Sequence, residues 1–199
     1  MAAPTGDDAD LVPEPDLYKA PEKKTIEELV KLDADDEALK RYKENLLGSV
    51  AQCTPFPNDQ RHLIVQKLEV IIKDGPTFSL DLEGDLEKLR DEPIEIPEGS
   101  FYNVRVTFYV QREIIAGLRY LQSAHKGIAK MKDDVMLGSY APRMEPIVWV
   151  SGEEEAPSGN LSRGVYAMTS KFMDDDKNEH VKFKWAIKIV KKALKAPSL

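Results

Sequence analysis

Residues 102–111 read YNVRVTFYVQ. The even-numbered positions from Tyr102 to Val110 are apolar or aromatic, whereas the odd-numbered positions from Asn103 to Gln111 are mostly polar. A period of two residues is the pattern of a β-strand with one buried face, because successive side chains of a strand point to opposite sides. The stretch therefore predicts a half-buried strand, and the sequence on both sides of it can be tested for the same pattern.

The same period returns near the end of the chain, where the apolar positions from Val181 to Ile189 alternate with Lys182, Lys184 and Lys188. Weaker strand patterns occupy five further stretches, which are 64–72, 77–82, 114–123, 147–150 and 162–172. Turn signals such as Asp-Gly-Pro separate them, and no long helical pattern lies between them. We therefore predict an all-β domain, an immunoglobulin-like antiparallel β-sandwich of about seven to nine strands.

A different pattern precedes this domain in residues 18–48, which read YKAPEKKTIEELVKLDADDEALKRYKENLLG. Thr25 and Glu28 form a capping box, so a helix is expected to begin near Ile26. A second amphipathic stretch covers residues 36–47. Isolated helices shorter than about 12–15 residues are marginal in water, so this helical hairpin is expected to form fully only when it docks. The surface that it docks on is either a partner or the domain itself.

Charge divides the chain in the same way, because the whole formal net charge of −7 lies in its first part. Residues 1–60 hold 14 Asp or Glu against 7 Lys or Arg, and residues 61–199 hold 21 of each. We predict a disordered acidic tail over 1–17, a flexible arm with the helical hairpin and a Pro-containing linker over 18–60, and the sandwich after it. An acidic arm favours a basic partner surface over nucleic acid.

The sequence gives no support for catalysis. His62, His125 and His180 lack the spacing of a helical zinc site, and Cys53 is the only cysteine. There is no nucleophile elbow and no glycine-rich phosphate loop. We therefore predict that the protein is not an enzyme and has no metal or cofactor. The lack of a signal peptide and of an apolar run of about 18 residues predicts a cytoplasmic protein.

Two acidic clusters in the domain have two interpretations each. Glu153, Glu154 and Glu155 precede a Pro-Ser-Gly turn and form either a solvated loop or a landing site for basic residues. Asp174 to Asp176 lies between two predicted strands, where a solvated hairpin turn is favoured over a calcium loop because the alternate spacing is missing. Likewise, the large side chains on the apolar faces of the two best strands are either core or the wall of a cavity.

Six motifs follow one another over about residues 18–192: the arm sequence quoted above, then LDLEGDLE, EGSFYNVRVTFYVQREIIAGLRYLQ, MLGSYAPR, EEEAPSGNLSRG and FMDDDKNEHVKFKW. In these motifs the chain resembles the Rho GDP-dissociation inhibitors. The resemblance implies an arm that clamps the switch loops of a prenylated, GDP-bound Rho-family GTPase, and a sandwich that takes up its C-terminal isoprenoid. It implies an inhibitor of GDP dissociation that extracts the GTPase from membranes, a monomer that forms a heterodimer with it.

The resemblance also implies roles for individual residues. In the arm it implies switch contacts by Thr25, Ile26, Leu29, Leu32, Asp36, Tyr42, Leu46 and Leu47. In the sandwich it implies an isoprenoid pocket lined by Val70, Ile94, Phe108, Ile114, Leu118, Tyr120, Phe183 and Trp185. It implies contacts with the basic segment before the lipidated cysteine by Glu153, Glu154, Glu155, Asp175 and Asp176, with Asp134 as a further candidate.

Two other functions remain open at this point. A general carrier of prenylated or acylated proteins would use a similar pocket without acting on nucleotide exchange, and the helical arm argues against it. An immunoglobulin-like scaffold would have a solid core and no ligand, so binding of an isoprenoid cysteine analogue would exclude it. In each case contact with a membrane surface is expected to be transient.

Overall fold

The computed structural model describes residues 53–191. Ten strands and one 3-10 helix make up this part of the chain. The strands are β1 (Leu63–Ile72), β2 (Thr77–Asp81), β3 (Ile94–Pro97), β4 (Phe101–Val110), β5 (Ile115–Lys126), β6 (Ala129–Tyr140), β7 (Ile147–Val150), β8 (Glu154–Glu155), β9 (Gly164–Met173) and β10 (Glu179–Val190), and the 3-10 helix is Leu86–Arg90. The predicted all-β class is confirmed.

The strands form two sheets that pack face to face. Sheet A has the order β2-β1-β4-β7, with β8 also paired to β4, and sheet B has the order β3-β10-β9-β5-β6. Every pairing is antiparallel except that of β3 with β10, which is parallel. The two strands with the clearest alternation, β4 and β10, lie inside sheet A and sheet B, respectively.

The core lies between the two sheets and is built from the alternating apolar positions. In β4, Val104, Val106, Phe108 and Val110 are all buried, as the period of two predicts. Phe172 of β9 is also fully buried, and most of the buried apolar side chains form one continuous cluster. This packing confirms the sandwich predicted from the two clearest strands.

Three of the ten strands, β3, β6 and β8, have no counterpart among the predicted ones. Strand β6 is an edge strand, and nearly all of its side chains from Ala129 to Tyr140 are at least partly exposed. An edge strand without a buried face lacks the alternation that reveals a strand in the sequence. Strand β3 is four residues long and joins the opposite edge of sheet B.

The segment before β1, predicted as a linker, is fastened to the end of β4. Gln111 is fully buried, and its amide nitrogen donates to the carbonyls of Asp59 at 2.8 Å and Arg61 at 2.7 Å. The amide oxygen of Gln111 accepts from the backbone N–H of Phe56 at 3.1 Å. The ring of Phe56 also packs edge-on against Tyr109, with the centroids 5.0 Å apart. The chain that arrives from the arm therefore meets the sandwich at a fixed place.

No helix in residues 53–191 has both the length and the apolar character that crossing a membrane requires.

Candidate ligand-binding site

A buried polar network crosses the core of sheet B. The indole N–H of Trp185 donates to the hydroxyl of Ser170 at 2.9 Å, and the same hydroxyl lies 2.9 Å from the phenol oxygen of Tyr120. Ser170 is fully buried, and burial raises the pKa of Tyr120 well above its usual value. The network satisfies the polar atoms of two large aromatic side chains, so their rings can line an apolar interior.

Seven of the eight residues expected to line an isoprenoid pocket lie in the main core cluster between the sheets. All seven are at most 4% exposed. They come from both sheets and are Val70, Ile94, Phe108, Leu118, Tyr120, Phe183 and Trp185. The structure thus brings together side chains that are up to 115 positions apart in the sequence.

Ile114 is the exception, because it lies outside the core cluster. Its side chain is 57% exposed, whereas its neighbour Ile115 is 3% exposed and belongs to the core cluster. The connection between β4 and β5 includes Arg112 at a φ of 68°, which turns the chain before β5 begins. This turn sets the phase of β5 so that Ile115 points inward and Ile114 points to solvent.

The interior has an acidic rim at the short strand β8. The phenol of Tyr102, which packs against the core cluster, donates to a carboxylate oxygen of Glu154 at 2.9 Å. Burial and, to a smaller extent, the negative charge of Asp133 raise the pKa of Glu154, although the hydrogen bond from Tyr102 opposes them. Burial also raises the pKa of Tyr102. A cation placed beside Glu154 would stabilise its ionised form, which burial and the charge of Asp133 disfavour.

The other two glutamates of this cluster differ from Glu154 in their surroundings. Glu153 forms an ion pair with Lys73, whose ammonium lies 2.7 Å from one carboxylate oxygen. Glu155, which is exposed like Glu154, pairs in register with Phe101. The three residues are therefore not equivalent, and Glu154 is the one that adjoins the core.

The turn from Asp174 to Asp176 connects β9 to β10, but it is not wholly solvated as the sequence suggested. Asp174 is 6% exposed and accepts hydrogen bonds from the backbone and side chain of Asn178, with His180 3.0 Å away. The backbone N–H of Asp175 donates to the carbonyl of Ala116. The turn is thus pinned to β5 and to its own strand ends.

Gly117 in β5 allows this turn to approach so closely. Its φ is +57°, and a Cβ atom added there would overlap the carboxylate of Asp175. Asp134, the further acidic candidate, lies on β6 with its carboxylate 3.5 Å from the guanidinium of Arg119. Asp175 is therefore positioned by the hydrogen bond of its backbone N–H, whereas Asp134 is positioned by its ion pair with Arg119.

Gly117→Ala is expected to lower the free energy of unfolding by about 1–2 kcal/mol, because a left-handed backbone is costly for alanine and the exposed carboxylate of Asp175 must turn aside to make room. Gly127→Ala is the matched control, since Gly127 has a φ of +58° but nothing within 4 Å of an added Cβ. The control should lose only about 1 kcal/mol. Urea unfolding measures both, and equal losses would show that Asp175 does not crowd this position.

The eight residues expected to contact the switch loops, from Thr25 to Leu47, lie outside the described residues. Among residues 53–191 no group of three or more His, Cys, Asp or Glu side chains is arranged to hold a metal ion.

Ser170, Asp133 and Gly117 are parts of this site that sequence reasoning did not single out. Ser170 sits in a strand pattern where a serine normally signals only a polar position. Its importance follows from the pairing of β9 with β10 and β5, which sets Ser170 opposite Phe183 and Gln122. Gly117 could have been found from the sequence, because a glycine inside a strand often marks a place where another segment approaches closely.

The family model for the RHO protein GDP dissociation inhibitor matches residues 5–192. A Rho GDP-dissociation inhibitor of Saccharomyces cerevisiae is 45% identical over 185 residues, which cover 89% of this chain and 92% of that protein. Rho GDP-dissociation inhibitor 1 of Rattus norvegicus is 42% identical over 176 residues, or 87% of this chain and 85% of that protein. A probable rho GDP-dissociation inhibitor of Caenorhabditis elegans is 39% identical, with 87% of this chain and 92% of that protein covered. The chain belongs to the Rho GDP-dissociation inhibitor family.

Proposed function

We propose that this protein inhibits the dissociation of GDP from Rho-family GTPases. The observation that carries the proposal is the family match, which spans residues 5–192 and so includes both the arm and the sandwich. Members of this family are regulators and not enzymes, which agrees with the lack of catalytic motifs. The finer parts of the proposal are a switch clamp in the arm, an isoprenoid site in the sandwich, and extraction of the GTPase from membranes into the cytoplasm.

The isoprenoid site is proposed to lie between the two sheets, among the seven buried side chains described above. Burying a chain of 15–20 carbons at about 0.8 kcal/mol per CH₂ supplies on the order of 10 kcal/mol, which is comparable to the gain in a membrane. Phe108 and Phe172 fill the interior, so the isoprenoid must displace or repack such side chains as it enters. The hydrogen bonds of Ser170 to the indole N–H of Trp185 and the phenol of Tyr120 would hold these two rings in place while the other side chains repack.

The acidic rim is proposed to receive the basic segment that precedes the lipidated cysteine. Glu154 is bonded to Tyr102, which packs against the core cluster, so its carboxylate stands at the edge of the interior that is proposed to hold the isoprenoid. A cation there would lower the raised pKa of Glu154 and be attracted by Asp133 as well. The same attraction would loosen the basic segment from anionic headgroups.

Glu154→Gln is expected to weaken binding of the prenylated GTPase but to stabilise the isolated domain at about pH 7. The folded-state pKa of Glu154 lies above its unfolded value, so the ionised carboxylate opposes folding above that pKa. The penalty disappears as the pH falls to about 4, below the ordinary pKa of glutamate. Glutamine keeps an oxygen that accepts the hydrogen bond from Tyr102.

Urea unfolding from about pH 7 to about pH 4 checks the stability part, and titration with a prenylated GTPase checks the binding part. Glu155→Gln is the control, because it makes the same charge change at the neighbouring position, whereas the phenol of Tyr102 bonds to Glu154. A stability gain from Glu154→Gln that does not shrink at low pH would contradict the assigned cause. Equal affinity losses for the two variants would argue against a special role for Glu154.

The arm is proposed to act on nucleotide release through Asp36. A carboxylate at a helix N-terminal position can accept charge-assisted hydrogen bonds from the hydroxyl and amides of a switch loop. Such bonds would hold the loop closed over the nucleotide, and no covalent bond needs to form or break.

One experiment tests the two-part proposal as a whole. A geranylgeranylated Rho-type GTPase carrying a fluorescent GDP analogue is placed on liposomes, and loss of nucleotide and release from the membrane are followed together. The full chain should slow GDP loss and release the GTPase, whereas residues 53–199 alone should bind the isoprenoid without slowing GDP loss. If the full chain binds lipid but never affects the nucleotide, the general carrier replaces the inhibitor.

A further inference from the structure

Two neighbouring loops at one end of sheet B each present an aliphatic side chain that protrudes into solvent. Ile128 lies in the two-residue turn between β5 and β6 and is wholly exposed. Leu161 lies in the loop between β8 and β9 and is 95% exposed. Large apolar side chains that make almost no contact with their own domain are available to a partner. We call Ile128 and Leu161 the apolar tips.

The two apolar tips are linked through the side chain of Lys126, the last residue of β5. Its ammonium donates to the carbonyl of Leu161 at 2.7 Å and also to the carbonyl of Arg163. Lys126 lies two residues before Ile128 in the chain. The turn that carries Ile128 and the loop that carries Leu161 therefore stand side by side at the same end of the sandwich.

The loop that carries Leu161 pairs its carbonyls within the protein. The phenol of Tyr166 donates to the carbonyl of Ser162 at 2.9 Å, and the N–H of Ser162 donates to the carbonyl of Gly159 at 3.0 Å. Together with the two bonds from Lys126, these contacts pair the three successive carbonyls of residues 161–163. A backbone that enters an apolar environment must be paired in this way, because an unpaired polar group is costly to desolvate. The loop therefore keeps its shape and can be buried at a low cost.

The charges around the apolar tips favour an anionic surface. Residues 123–132 and 156–173 contain no Asp or Glu. The ammonium of Lys126 is bonded to uncharged carbonyls, and no carboxylate of residues 53–191 pairs with it. Glu98 also reaches the loop, but its carboxylate lies 2.6 Å from the guanidinium of Arg163 and is neutralised there. An anionic surface would therefore meet a net positive charge beside the apolar tips.

The chain leaves strand β10 at this same end, because Ile189 pairs with Gly164 at the start of β9. The residues that follow, 191–199, read KKALKAPSL and contain three lysines, two leucines and no acidic side chain. Lysines beside apolar groups are typical of segments that bind anionic membrane surfaces. The composition of this segment thus agrees with the charges around the apolar tips.

We propose that the apolar tips insert into an anionic lipid bilayer, so that this end of the sandwich binds the membrane directly. A fluid lipid surface receives two separate protruding side chains without needing a groove of matching shape. The binding is expected to be reversible, since even a myristoyl chain gives only marginal membrane attachment. This lipid contact belongs to the chain itself and requires no GTPase.

The test uses the full chain and vesicles of mixed phosphatidylcholine and phosphatidylserine, without any GTPase. Asn160→Cys in a Cys53→Ser background carries the environment-sensitive fluorophore NBD beside Leu161. Its emission is expected to rise and to shift to the blue as the loop enters the bilayer. The same label at Glu145→Cys, an exposed position between β6 and β7, should not respond.

Substitutions at the apolar tips decide whether they carry the binding. Ile128→Ser with Leu161→Ser should lower the partition into sedimented vesicles at least about tenfold, because burial of one aliphatic side chain alone corresponds to about that factor. Met144→Ser with Val148→Ser is the matched control, since these side chains are 54% and 55% exposed elsewhere on the domain. The control pair should leave the partition unchanged. Thermal unfolding confirms that each variant is folded.

Three outcomes would overturn the proposal. An absent NBD response, or an equal response at the two labelled positions, would show that the apolar tips do not enter the bilayer. Equal losses for the tip pair and the control pair would show that binding depends only on general hydrophobicity. A normal vesicle partition of the tip pair, with a weaker affinity for a prenylated GTPase, would assign the apolar tips to that protein. Failure of the proposed action on nucleotide release would change none of the vesicle results.

Discussion

Asp36→Ala is expected to accelerate GDP release from the complexed GTPase by about 10- to 100-fold while isoprenoid binding stays unchanged. Hydrogen bonds to a charged group contribute about 1.5–3 kcal/mol, and each 1.4 kcal/mol corresponds to about a factor of ten. The alanine variant loses the proposed bond to the switch loop, and the substitution leaves the sandwich and its buried lining untouched. The large change in one activity without a change in the other is the signature of the proposed two-part mechanism.

The measurement is the dissociation rate of a fluorescent GDP analogue at a saturating concentration of inhibitor, together with the affinity for a geranylgeranylated cysteine analogue. Asp35→Ala serves as the control, because it removes the same charge from the neighbouring position. Retention of GDP by Asp36→Ala at the wild-type level would mean that the clamp has been assigned to the wrong residue. Equal acceleration by both variants would mean that only the overall charge of the arm matters.

Trp185→Ala is expected to lower the free energy of unfolding by about 3–5 kcal/mol and to weaken isoprenoid binding. Trp185 is 3% exposed in the core cluster, so the truncation leaves a cavity, and it also removes the donor to Ser170. Trp185→Phe separates these effects, since it keeps an aromatic ring but not the indole N–H. The phenylalanine variant should lose about 1–2 kcal/mol, because Ser170 keeps its contact with Tyr120.

Urea unfolding gives the stabilities, and the isoprenoid analogue is titrated at a temperature where every variant remains folded. If Trp185→Ala loses stability but binds the analogue like wild type, the pocket does not include Trp185. If Trp185→Phe loses as much stability as Trp185→Ala, the hydrogen bond to Ser170 outweighs the packing of the ring.

The fold could be predicted where a strand buries one face and exposes the other. The alternation in β4 and β10 reports that arrangement directly, and both strands are where the sequence placed them. Strand β6 could not be found in this way, because an edge strand with almost no buried side chain has no apolar period. The sequence also could not show that Ile115 and not Ile114 faces the core. The turn at Arg112 decides which residues of β5 point inward, and the composition of the strand does not reveal that turn.

The candidate site could be predicted in outline from the resemblance, and seven of its eight apolar side chains do meet between the sheets. The polar parts could not be predicted, because they depend on contacts between distant strands. The sequence cannot say that Ser170 lies between Trp185 and Tyr120, or that Glu154 bonds to Tyr102 while Glu153 pairs with Lys73. Three adjacent glutamates thus acquire different properties from the register of sheet A.

The hydrogen bonds of Gln111 fix residues 56–61 to the sandwich, so this segment does not act as part of a flexible tether. A bivalent ligand gains most avidity when the root-mean-square length of the tether between its two binding modules matches the distance to be spanned, because a longer tether lowers the effective concentration of the second module. The buried amide of Gln111 removes about six residues from that loose length. The arm is therefore attached to the sandwich at one defined point, the end of β4, whichever partner it binds.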